Sequence, residues 1–143
     1  MEPLSAAQLV GRPVRLRQVK LGRVEDVVLD PSVRRVLGFV VECGDETPRF
    51  LPFAASQPAE DEIAVASALM LLDDVDFYRK HGLSFRLAIG AQVEGAGRPT
   101  GALVDVLVDR AGDVVALDLE RAGALLRVPA DGSSSATPAA TAA

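Results

Sequence analysis

The chain has 143 residues, 49% of them hydrophobic and 24% charged, with a formal net charge of −5. That composition excludes a collagen-like, disulfide-rich or wholly disordered chain, and the negative balance argues against a general nucleic-acid or anionic-membrane binder. The first expected strand is Val14-Arg15-Leu16-Arg17, which alternates apolar and charged residues. Gly22–Leu29 is a Val-rich run, Asp30-Pro31-Ser32 is a turn, and Val36–Glu42 returns, so residues 23–42 read as a hairpin. Arg49–Phe53 and Glu62–Ala66 add two short strands. The longest nearly apolar run, Ile63–Leu72, is too short to cross a bilayer.

A helix is expected over 74–81. Asp73 caps it, Leu71, Val75 and Tyr78 form an apolar stripe, and Arg79, Lys80 and His81 complement its C-terminal end. Gly82 stops it in a left-handed conformation. Leu83, Phe85, Leu87 and Ile89 then alternate with Ser84, Arg86 and Ala88, which predicts another strand. Leu103–Asp109, the turn Arg110–Asp113 and Val114–Glu120 form a second hairpin, and Leu125–Pro129 follows. Asp131–Ala143 contains only small, polar and proline residues after its first acid and reads as a disordered tail.

These elements repeat. At an offset of 79 residues Val10-Gly11 falls on Ile89-Gly90, Gly22 on Gly101, Asp26 on Asp105 and Asp30 on Asp109. The offset becomes 78 at Val36 and Val114, and 77 at Pro52 and Pro129. Two copies of one β unit are expected. The second copy has no counterpart of Glu62–Ala66 before the tail, and Leu83–Ile89 is expected to supply that strand.

Leu9-Val10-Gly11-Arg12-Pro13-Val14, then Leu21-Gly22-Arg23-Val24-Glu25-Asp26-Val27-Val28-Leu29-Asp30-Pro31, resembles the PRC-barrel family. Arg35–Glu42 and Arg49–Phe53 fit the same pattern. The resemblance implies a mainly β fold of two small PRC-barrel-like β-barrels in tandem, joined by one short α-helix. The expected boundaries are 8–66 for the first unit, 67–82 for the linker and helix, 83–130 for the second unit and 131–143 for the tail. The family includes the cytoplasmic domain of a photosynthetic reaction-centre subunit and a domain of an rRNA-processing factor that binds a ribosomal protein. The resemblance therefore implies an interaction or assembly module, with no shared catalytic motif. Its expected partner is a protein or a second copy of the chain.

Residue by residue, the chemistry is sparse. Asp26 and Asp105 interrupt apolar strands, so each needs partners. Their presence in both copies favours a structural acceptor at a bend over a ligand site, and Asp30 and Asp109 read as turn residues. Gly11, Gly22, Gly90 and Gly101 are expected to be structural. His81 is the one histidine and Cys43 the one cysteine. Neither has a setting for nucleophilic catalysis or zinc spacing. Glu60-Asp61-Glu62 and Asp73-Asp74-Asp76 lack calcium-loop spacing. No catalytic, cofactor or metal site is expected.

Charge is uneven: residues 1–58 carry net +1 and residues 59–143 net −6. Arg12, Arg15, Arg17, Lys20, Arg23, Arg34 and Arg35 make a basic segment, a candidate contact for an acidic protein face or, as the alternative, for RNA or the ribosome. A single cysteine and an N-terminus without a signal-peptide pattern suggest a cytoplasmic chain that inserts in no membrane.

Overall fold

A computed structural model describes residues 3–45, 47–95, 98–130 and 135–137. In chain order the elements are β1 (Leu4–Ser5), α1 (Ala6–Leu9), β2 (Pro13–Leu16), β3 (Val19–Leu29), β4 (Val36–Cys43), β5 (Pro48–Pro52), β6 (Ser56–Pro58) and β7 (Ile63–Val65). Then come α2 (Val75–His81), β8 (Leu83–Ser84), α3 (Phe85–Ala88), β9 (Gln92–Gly95), β10 (Arg98–Val108), β11 (Val114–Arg121), β12 (Ala124–Pro129) and β13 (Ser135–Thr137). The fold is mainly β, with curled sheets and few helices, consistent with a PRC-barrel fold. No helix among the described residues is long and apolar enough to cross a membrane.

One sheet runs β5-β4-β3-β2-β7-β6, and the other runs β12-β11-β10-β9-β13. The long strands β3 and β10 hold the two hairpins. In each, the pairing slips by one residue just before an aspartate, between Val24 and Asp26 and between Leu103 and Asp105. Such bulges bend a strand sharply, which lets a small sheet curl on itself. Gly22 and Gly101 sit where a Cβ would run into the backbone carbonyl of Glu42 or Glu120, so a close strand crossing demands glycine in both units.

The units exchange their leading segments. β1 pairs with β10 of the second unit, Leu4 opposite Val108 and Ser5 opposite Leu107. β8 pairs with β3 of the first unit, Leu83 opposite Leu29 and Ser84 opposite Val28. The offset of 79 thus reaches back to Leu4-Ser5 and Leu83-Ser84. The hairpin turns also meet: Val36 N–H donates to Gly112 O and Val114 N–H to Arg34 O, both at 2.8 Å. Accordingly one core serves both units, with Leu9, Val27, Phe39, Phe85, Leu103 and Leu119 all in the same buried cluster.

Several expectations need correction. Leu83–Ile89 is not a strand of the second barrel. Only Leu83–Ser84 is extended, it lies on the first unit's sheet, and Phe85–Ala88 is a single helical turn. Ser84 caps that turn by accepting from Leu87 N–H at 3.2 Å. Alternation over seven residues could not separate the two cases: Phe85 is buried, but Leu87 is 74% exposed. The place beside β9 is taken by Ser135–Thr137, antiparallel, where β7 runs parallel to β2 in the first unit. Those three residues of the expected disordered tail are therefore a strand; the other residues of 131–143 lie outside the described set.

The linker helix forms over Val75–His81 without a side-chain cap from Asp73 or Asp74; Asp74 holds the cap position. Gly82 is extended, with φ −111° and ψ −174°, so it does not end the helix in a left-handed conformation. It is needed for space, because a Cβ there would lie 2.5 Å from Val28 Cγ1. α2 covers the outer face of the first sheet. Val75 is buried with Val28, Val40 and Phe50, and the Tyr78 ring stacks on Phe50 at 3.6 Å.

Candidate functional site

The aspartates inside the strands are built into the seam between units. Asp26 accepts from the Ser84 hydroxyl, from Arg86 N–H at 3.1 Å and from Val27 N–H at 2.8 Å. Asp105 accepts from the Ser5 hydroxyl, from Ala7 N–H at 2.9 Å and from Val106 N–H at 2.8 Å. The two sets match group for group. Each serine also caps the turn that follows it, since Gln8 N–H donates to Ser5 Oγ and Leu87 N–H to Ser84 Oγ. A carboxylate that accepts three bonds in this way is a clasp, and its oxygens are not offered to a ligand. Gly11 and Gly90 follow these helical turns with φ +94° and +87°, and donate to Val24 O and Leu103 O.

The hairpin turns use the other pair. Asp30 accepts from Ser32 Oγ at 2.5 Å and from the Arg34 and Arg35 N–H groups. Partial burial works against its charge, but these hydroxyl and backbone donors outweigh it and hold the carboxyl below the usual range. Asp109 accepts from the Ala111 and Asp113 N–H groups, both at 2.9 Å.

The basic segment does not make one face. Arg15 stands directly opposite Lys20 across β2 and β3, and exposed Arg17 occupies the tight turn between them with φ +57°. Arg23 is exposed further along β3, opposite Pro13. Arg34 and Arg35 lie past the other end of that strand, in the seam, where Arg35 pairs with Asp113. The whole of the eleven-residue β3 lies between these two and Arg17, which sits in the turn at its other end. Arg12 is turned to a third task. Its Nη1 donates to Ala59 O, while Arg110 Nη1 from the second unit donates to Pro58 O at 3.2 Å. Together they tie down the connection from β6 to β7.

Among the clefts, one of about 390 Å³ is lined by Leu21, Cys43, Asp45, Arg49 and Leu71. The Cys43 thiol and the Asp45 carboxylate raise the Arg49 guanidinium pKa above its usual value. Arg49 also reaches Asp73 at 3.4 Å, so this cleft holds a half-buried guanidinium between two exposed carboxylates, beside a buried thiol. A second cleft, about 240 Å³, lies at the seam between Ser5, Gln8, Arg12, Glu60 and Arg110. His81 lines neither of these clefts and leans on the Phe77 ring at 4.6 Å. Among the described residues no group of three His, Cys, Asp or Glu side chains is placed to hold a metal ion.

The features that sequence reasoning missed are exposed and apolar. Leu125 is 71% exposed on β12, beside Leu126 at 39%. β12 ends its sheet, and no described strand pairs with its outer edge. The missing partner strand was the available signal, because β5 in the first unit does have a neighbour: Phe50 and Leu72 exchange two backbone bonds of 2.8 Å.

Residues 1–70 match the sequence model of the PRC-barrel domain. That stretch covers the first unit and stops before α2. PRC-barrel domains are generally non-catalytic and involved in interactions. No curated protein matches the chain.

Proposed function

We propose that the chain is a non-catalytic interaction or assembly module made of two tandem PRC-barrel-like units, acting in the cytoplasm on a protein partner or on a second copy of itself. The observation that carries this reading is how the polar groups are spent. Asp26, Asp105, Asp30 and Asp109 are all engaged in holding the fold, whereas Leu125 and Leu126 stand on an edge strand that no described strand pairs on its outer side. A catalyst needs convergent reactive groups in a cleft, and an interaction module needs surface. The test is reconstitution from purified components after nuclease treatment. A stoichiometric protein complex, or a self-associated chain, supports the reading; a turnover that resists further purification contradicts it.

A second reading takes RNA or a ribosomal surface as the partner. It is supported by Arg15, Arg17 and Lys20, which gather at the tip of the β2–β3 hairpin. Binding through phosphates would weaken steeply with salt and would fall on charge reversal at Arg17 and Lys20. Arg34 and Arg35 would not take part.

A further inference from the structure

The geometry points to β12 as a self-pairing edge, joined antiparallel to β12 of a second copy about a two-fold axis through Leu126. This rests on the reading of the chain as an interaction module and names its partner.

The two units share one register on their outer strands. Val40 is opposite Phe50 in the first, and Asp118 is opposite Arg127 in the second. Phe50 spends its outward N–H and C=O on Leu72. Arg127 stands at the equivalent place, so its N–H and C=O point away from β11 toward the open edge. Edges of this kind are usually blunted by proline or inward charge. Here proline enters only at the end, at Pro129, and the middle of the strand is Leu125-Leu126-Arg127-Val128.

Charge selects the occupant and the register. An axis through Arg127 would set guanidinium against guanidinium. An axis through Leu126 sets Leu126 against Leu126, and Leu125 against Arg127 of the second copy. On the outer face Leu125 pairs with Glu120 and Arg127 with Asp118 within one chain. Across the joined sheets each row then reads Glu120, Leu125, Arg127, Asp118, the last two from the second copy. The arginine has its own Asp118 on one side, and on the other the exposed leucine lies along its aliphatic stem with Glu120 beyond. The mirror row is identical, as an isologous contact requires, and pairing consumes this edge in both copies, so growth along β12 stops at two. The first unit cannot do the same, because Leu72 already holds β5.

The test uses the full chain. Sedimentation velocity from about 5 to about 500 µM should show a monomer–dimer equilibrium. Leu126→Lys should weaken it about tenfold or more, because it places two ammonium groups face to face at the axis. Circular dichroism checks that this variant keeps its fold. A second measurement needs no disruptive change. Leu126→Cys should form an intermolecular disulfide on mild oxidation, because directly opposed Cβ atoms lie about 4.5–5.5 Å apart. Leu125→Cys should not, since its own mate is a diagonal neighbour at about 7–8 Å. The native Cys43 is buried and adds little background. A monomer throughout the range, a dimer indifferent to Leu126→Lys, or equal cross-linking at both positions would overturn the pairing. A monomer that still binds a purified protein partner would overturn the pairing alone and leave the module reading standing.

Discussion

The outer faces of the two units have the same strands in the same register and opposite chemistry. In the first, Val40 and Phe50 face outward and are sealed by α2, with Tyr78 stacked on Phe50 within 3° of parallel. In the second, Asp118 and Arg127 take those positions and make a bidentate pair at 2.7 and 3.0 Å, with Arg127 63% exposed. Among the described residues a covering helix such as α2 is therefore not part of the repeated fold. It is needed where the outer face is apolar and dispensable where that face is charged.

The most forceful way to break that comparison is truncation at one register position in both units. Phe50→Ala should cost about 3–5 kcal/mol, as buried aromatic truncations do. Arg127→Ala should cost far less, because it removes an exposed ion pair. Urea denaturation of both variants checks this, and similar losses would mean that the second face is not solvated as described.

A smaller effect separates the turns. Asp30→Ala should cost about 1–2 kcal/mol at neutral pH, since the carboxylate holds a hydroxyl and two backbone N–H groups. The Asp30 carboxyl titrates lower in the folded chain than in the unfolded one. Its contribution is therefore complete above the unfolded value of about 4 and is lost as pH falls through the folded value. The gap between Asp30→Ala and the parent should close below about pH 4 in denaturation curves taken across pH. A gap that widens with acid would reverse the assignment.

The smallest effect belongs to His81→Ala. His81 is exposed and its ring lies 4.6 Å from that of exposed Phe77, so the variant's unfolding free energy should stay within about 0.5 kcal/mol of the parent. A larger loss would show that the end of α2 carries more of the first unit's cover than Tyr78 and Val75 account for.

The hairpins, their turns and the second helical stretch could be read locally, because valine-rich runs, Asp-containing turns and an apolar stripe followed by basic residues each carry their own signal. The repeat was legible from Val10 onward. Its earlier part was not, since Leu4-Ser5 and Leu83-Ser84 are only two matching letters before one-turn helices too short to show a period. What Asp26 binds is Ser84, 58 positions away, and no local pattern announces such a pair. How the basic segment spreads in space was not legible, for the converse reason. Arg17 and Arg34 are near in sequence, but an eleven-residue strand separates them in space. The antiparallel seat of Ser135–Thr137 on β9 is a matter of edge pairing, which a run of small residues does not encode.

The central claim is that the units are interlocked by exchanged segments, with Asp26 holding Ser84 and Asp105 holding Ser5. The most direct test is Asp105→Ala followed at Tyr78. Asp105 lies in the second unit's sheet, and Tyr78 reports on the first, as the one tyrosine in a chain without tryptophan. Urea unfolding is read by tyrosine fluorescence and, in parallel, by far-ultraviolet circular dichroism of the whole chain. Interlocked units predict that both signals shift together, by about 2–3 kcal/mol for the loss of three bonds to a carboxylate. A Tyr78 transition left at the parent midpoint, while the circular dichroism splits into two steps, would contradict the interlock and make the units independent.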